Sequence, residues 1–301
     1  MKNVSTIYKR ELKQLFGSLS GWLFIALNLA ALGICAVWLC LRNGNPSFQY
    51  VPETASLILC FTVPLMQAMT VGAEWKRGET TMTLRYASAP AVTVGKYLAE
   101  ATVFAVPAVI CLILPLVFMG YGINSVVGAF ISAITYVLVG MALIALGLFI
   151  ASLIKHTVIG GAVSVVACLL LNVASNVAKV VTADQTLPFV LSAVALTAVT
   201  VVIMCVYLNN AVIPTVFAAI SSALTLTLAL TGNASTVIRV MLKLVSPQYA
   251  FYENVYGTAS LQGFVQPILF IAVFLGFTAL THANYNKTLT VELKKNGKVG
   301  E

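Results

Sequence analysis

Charge is scarce in this chain. Nine per cent of its 301 residues are charged and 60% are hydrophobic, whereas a soluble domain carries about a quarter charged residues. No polar stretch is long enough to build a soluble domain, so the composition leaves a polytopic membrane protein. Aspartate occurs once, at Asp184, and histidine only at His156 and His282. Intramembrane ionisable groups are what proton-coupled carriers and intramembrane hydrolases work with, and the apolar runs hold almost none. Neither an HExxH zinc motif nor a serine nucleophile motif with a base is present. The phosphate-binding sequence GxxxxGK[ST] is missing too. Gly95-Lys96 runs on into Tyr97 without the preceding glycine, so ATP binding of that kind is excluded. The six cysteines (Cys35, Cys40, Cys60, Cys111, Cys168 and Cys205) form no CxxC pair and sit in or beside apolar runs. They read as small buried hydrophobes, not as metal or redox ligands. No cofactor or metal is expected on this chain, and no cleavable signal peptide, because the first apolar run lacks a small-residue cleavage site.

What the chain does have is apolar length. Eight runs are near the ~20 residues that cross a bilayer core: 20–41, 54–73, 97–120, 126–154, 157–179, 187–208, 211–231 and 262–282. Only Asn209-Asn210 separates the sixth from the seventh, which makes them a tight helical hairpin. With both termini on the cytoplasmic side, 13 of the 17 Lys and Arg lie there, and only Arg42, Lys179, Arg239 and Lys243 lie outside. The positive-inside rule favours that orientation. The net charge of +8 therefore marks a membrane face and does not point to nucleic acid. Residues 1–19, with Lys2, Lys9, Arg10 and Lys13 among Ile7, Leu12, Leu15 and Phe16, are expected as a basic amphipathic helix on the inner leaflet.

Residues 74–96 hold six charged side chains between two apolar runs: Glu74, Lys76, Arg77, Glu79, Arg85 and Lys96. Their centre is expected to form a short helix. Gly78 and Glu79 open it, the acid suiting a positive helix N-terminus. Met82 and Tyr86 lie one turn apart on one face, with Leu84 and Arg85 beside them. Ser88-Ala89-Pro90 ends it and starts the next helix, since proline is tolerated in a first turn. Two readings stand: a lever held in the cytosol by two membrane helices, or a solvated loop that only fixes topology. Glu100 follows Lys96 by one turn, and a local helix pair explains it as well as any function. The amides Asn28, Gln67, Asn172 and Asn176 either line a substrate path or hydrogen-bond between helices. The stretch 232–261, rich in aromatics, reads as short helices dipping into the outer interface.

The 74–96 stretch resembles the coupling segment of ABC-2 type permeases, the membrane subunits of type V ABC exporters. That pattern runs from an acid and basic residues through Gly-Thr-x-Glu and a Leu-rich turn to Pro-Val-Ser and Gly-Lys-aromatic-Leu-Ala. The chain matches it at Glu74, Lys76, Arg77, Gly78, Ser88, Gly95, Lys96, Tyr97, Leu98 and Ala99. It departs at Glu79 (Thr in the family), Thr81 (Glu) and Tyr86 (Pro). The N-terminal IYKRELKQLFGSLSGWLFIALNL resembles the family's leading helix, and LVSPQYAFYENVYGTASLQGF resembles its outer-face segment. The flavour is that of the gliding-motility and copper-processing permeases.

The resemblance implies an all-α permease domain spanning 1–301, with a six-span core plus the extra hairpin 187–231. It implies an ATPase-coupling surface at Glu74, Arg77, Gly78, Glu79, Met82, Arg85 and Tyr86, and an outer gate around Pro247, Phe251, Tyr252 and Glu253. The implied partners are two separate ABC ATPase subunits, which carry the ATP and Mg, and a second permease chain, identical or related. The implied place is a bacterial cell membrane. A self-sufficient secondary transporter or channel is the alternative, and a membrane enzyme is a third class that the missing chemistry disfavours.

Overall fold

In hydrocarbon a chain must satisfy its own backbone, and long apolar runs do so as helices. The computed structural model describes residues 2–42, 48–121, 125–154, 156–180, 245–255 and 259–297, with isolated positions between 197 and 222. The described residues are 92% helical, without a strand. Among the described residues six helices are long and apolar enough to cross a membrane: Leu19–Arg42, Tyr50–Arg77, Ala89–Met119, Val126–Leu153, Thr157–Asn176 and Leu261–Lys287. The protein is a multi-pass helical membrane protein, and these six match six of the eight expected spans. The expected hairpin at 187–208 and 211–231 lies outside the described residues, apart from isolated positions.

We number the elements α1 (Lys2–Gly17), α2 (Leu19–Ala36), α3 (Tyr50–Gln67), α4 (Ala73–Arg77), α5 (Glu79–Tyr86), α6 (Ala89–Met119), α7 (Val126–Leu153), α8 (Thr157–Val180), α9 (Tyr249–Val255) and α10 (Leu261–Gly297). Helix α7 is the centre, with 78% of its apolar window buried against 17% for α8. Glycine lets its neighbours come close. A Cβ at Gly140 would strike the Phe104 ring of α6, and one at Gly147 would strike the Gln67 carboxamide of α3. Helices α3, α6 and α10 pack along α7, and α1 lies along the first turns of α6.

Prolines 64, 107, 115 and 267 sit inside helices that continue through them. The irregularities are instead two wider π-helical turns, Val37–Arg42 after α2 and Ala68–Gly72 after α3. The second begins one turn past Pro64, whose ring nitrogen cannot donate to the helix ladder.

Helix α1 differs from expectation in what its inner face touches. Ile7, Glu11 and Leu15 recur every four residues and are buried, which puts them on one stripe. That stripe faces protein. A Cβ at Gly95 of α6 would meet Ile7, and Tyr8 hydrogen-bonds Thr102 at 3.1 Å. Lys9 and Lys13 remain exposed on the other side.

Candidate functional site

Gly78 has φ +75°, a left-handed backbone that glycine adopts without steric cost. It closes α4, its N–H donating to Trp75 O at 3.2 Å, and opens α5, its carbonyl accepting from Met82 N at 3.2 Å. The chain turns there and continues for two turns of helix. Ser88 is then extended, and α6 starts at Ala89 with Pro90 in its first turn, as the sequence implies.

Helix α5 has two faces. Thr80 and Leu84 point inward and are buried, while Met82 and Tyr86 stand 71% and 82% exposed. Leu84 is thus opposite the Met82–Tyr86 pair rather than beside it. The helix is pinned by its neighbours. Arg10 of α1 donates to Thr83 Oγ1 at 3.0 Å, and Thr81 Oγ1 lies 3.3 Å from the Tyr285 hydroxyl of α10. Trp75 of α4 meets Tyr285 edge to face at 4.9 Å. Arg77 and Glu79 pair at 3.1 Å with both side chains substantially exposed, a contact worth little. The backbone of Arg85 is helical.

Glu74 is not on that surface. It is fully buried and paired with Lys96 of α6, itself 2% exposed. Lys96 also lies 3.5 Å from Glu11 of α1, and Arg10 reaches Glu11 at 2.7 Å. Three elements therefore meet at one cluster of opposite charges. Burial by itself would raise the Glu11 carboxyl, but the Lys96 ammonium and the Arg10 guanidinium outweigh it and hold the group below its ordinary value. Glu11 escaped the sequence reading. The signal was its place between Ile7 and Leu15 on one stripe, an acid among four bases.

Among the described residues, the ion pairs of Lys96 are with Glu74 and Glu11, not with Glu100 one turn on. Glu100 accepts instead from Gln67 Nε2 at 2.8 Å, and the same nitrogen donates to Ile144 O at 2.9 Å. Gln67 thus ties α3 to α6 and α7. Nearby, Thr93 lies 3.0 Å from His282 Nδ1, closing α6 onto α10.

The other amides are dispersed. Asn28 donates to Phe24 O and to Thr62 Oγ1, joining α2 to α3. Asn172 and Asn176 bond each other along α8 at 3.1 Å. At the opposite end of the bundle Pro247 sits in a buried turn before α9, Phe251 is fully buried, and Tyr252 and Glu253 are half-buried. That segment is wedged among the helix ends. Ser246 donates to Leu171 O at 2.7 Å, Gln266 donates to Ser246 O at 2.7 Å, and Asn254 donates to Thr135 Oγ1 at 2.8 Å.

Compared with protein-family models, with curated proteins and with solved structures, the chain matches none of them. The functional reading therefore rests on the residues themselves. A two-turn helix presents an apolar pair outward and is tied to α10 through Tyr285 and, through Arg10, to a buried charge cluster.

Proposed function

We propose that the chain is the membrane-spanning permease subunit of an ATP-driven exporter of the ABC-2 type, and that α5 is the surface on which a separate ATPase subunit acts. The observation that carries this reading is the exposure of Met82 and Tyr86 on a helix pinned to α1 and α10. An apolar pair on a water-facing helix, rimmed by the charges of Arg77 and Glu79, is the pattern of an interaction surface. A push on α5 reaches α1 through Arg10, and reaches α10 through Tyr285. Helix α10 runs unbroken from the α9 end of the bundle to α5, so both ends of the path respond together. ATP and Mg reside in the partner, and their role is to favour one of two arrangements of the permease.

In this reading the two segments 187–208 and 211–231 complete eight spans, both termini and α5 face the cytoplasm, and the host is a bacterial cell membrane. Cysteine placed at Met82 is expected to react with a membrane-impermeant maleimide only from the cytoplasmic side, and cysteine at Ala259 only from outside. The reverse pattern removes α5 from reach of any cytosolic ATPase.

One α5 per chain implies two chains per complex, because ATP-binding cassettes act in pairs. Tagged permease purified gently from its native membrane is expected to carry an ATPase in a two-to-two complex. An active one-to-one complex is the result that refutes this. A self-sufficient ion-coupled carrier has one observation in its favour, the buried carboxylate of Glu100 within a span. The two readings separate on whether transport survives with no ATPase present.

A further inference from the structure

A narrow cleft lies between α3, α7 and α8, with about 10 Å³ of free space, room for one water-sized group such as a hydroxyl. Its walls are made by small residues, among them Gly147, Gly160 and Gly161, with Pro64 and Gln67 of α3 on one side and Ser164 of α8 on the other. His156, exposed in the α7–α8 turn, stands at its mouth. The π-helical turn Ala68–Gly72 borders it, and such turns occur often at functional sites. The contacts around it are close: a Cβ at Gly161 would fall 2.9 Å from the Ala68 Cβ.

Two polar atoms of this cleft are unused. Gln67 Oε1 and Ser164 Oγ are buried and have no hydrogen-bond partner among the described residues, and their side chains belong to residues only 1% and 2% exposed. A buried acceptor left without a donor is costly, most of all away from water. Among the described residues that line it there is no Asp, Glu, Lys or Arg. An ammonium or carboxylate reaching past His156 to the described inner lining would lose its hydration and meet no Asp, Glu, Lys or Arg there. An uncharged donor loses less and can satisfy an unpartnered acceptor here.

We infer that the cleft binds the uncharged, hydrogen-bond-donating head of an amphiphile, a hydroxyl or amide N–H that reaches Gln67 Oε1 and Ser164 Oγ. The apolar remainder has α8 to lie along, the most exposed of the six spans. The Gln67 carboxamide that would accept from this head also donates to Glu100. Glu100 shares a turn of α6 with Lys96, whose partner Glu11 is gripped by Arg10, which in turn holds Thr83 of α5. Occupation of the cleft and movement of α5 are therefore joined by polar contacts on either side of one turn of the α6 backbone, between Glu100 and Lys96. The role of the cleft as a cargo site rests on the exporter reading; the binding itself does not.

The test is photo-crosslinking of the full chain in phospholipid vesicles, without any ATPase. The probes are diazirine-tagged dodecanol, dodecanoate and dodecyltrimethylammonium, and the adducts are mapped by mass spectrometry. The alcohol is expected to label 64–72 and 147–164 about five-fold above either charged probe, the worth of roughly one hydrogen bond. Excess dodecanol should compete and glycerol should not. Competition by glycerol as well would mean a soluble polyol and overturn the amphiphile. Gly147→Ala, whose Cβ lands on the Gln67 carboxamide, should abolish the selective labelling. Ser164→Ala, which keeps the packing, should cut it about five-fold. Equal labelling by all three probes, or labelling indifferent to Ser164→Ala, overturns the assignment. Labelling as expected, with no response of a co-purified ATPase to dodecanol, leaves the binding site standing and removes its role as a cargo site alone.

Discussion

Lys96→Met is expected to destabilise the protein by about 3–5 kcal/mol, the usual cost of removing one partner from a buried ion pair. The change leaves Glu74, fully buried, without a counter-charge, and takes from Glu11 its partner at 3.5 Å. Desolvating a carboxylate without compensation is what makes the loss large. The converse substitution separates charge from packing. Lys96→Met combined with Glu74→Leu removes both charges of the Glu74–Lys96 pair, leaves Glu11 with Arg10 at 2.7 Å, and should recover most of the stability, because apolar replacement of a whole buried pair is often neutral. Thermal unfolding of the purified protein in one detergent measures both variants. If Lys96→Met melts with the wild type, the cluster is not closed as described.

The Glu11 contribution also has a sign in pH. Its carboxyl is held below its ordinary value, so the stability it adds is fully present above the unfolded value and is lost as pH falls through the folded one. Acid, not alkali, should loosen α1 from α6 through this group.

The fold was legible wherever one dimension carried the information. Span length, the helix break at Gly78 and the helix start at Ser88-Ala89-Pro90 depend on local composition and backbone preference, and these match the structure. The Met82–Tyr86 face follows from helical spacing alone. The charge cluster was not legible for the opposite reason. Glu74 and Lys96 lie 22 residues apart in the chain, on either side of α5, and Glu11 comes from a helix before the first span. Read in sequence, all three belong to water-facing segments. Only the packing of α1 on α6 reveals that their charges point at one another. The same holds for Gln67. Its neighbours in the chain show a polar group in a span, but its two partners, Glu100 and Ile144, sit on other helices. The π-helical turn beside it has no sequence signature beyond Pro64.

The second large effect is expected at α5. Replacing Met82 and Tyr86 together with aspartate should abolish ATPase binding and, with it, transport. Both side chains are mostly exposed, so the substitution removes no internal packing, and the amount of folded permease in the membrane should stay at the wild-type level. The effect on binding is large because a small docking surface draws its affinity from a desolvated apolar centre. Two buried carboxylates there replace that gain with an uncompensated cost. Reversal of Glu79 serves as the internal control. It stands at the exposed rim in a pair with Arg77 at 3.1 Å, where charge is screened and an ion pair is worth ~0–1 kcal/mol. Glu79→Lys should therefore weaken co-purification of the ATPase by no more than about ten-fold. The inner face gives the second control, since Leu84→Asp would bury a charge beneath α5 and should lower folded protein as well as binding. The readouts are ATPase retained per folded permease, and transport in vesicles. A double aspartate variant that keeps its ATPase and transports normally would reduce α5 to a topological spacer, whatever braces it from within.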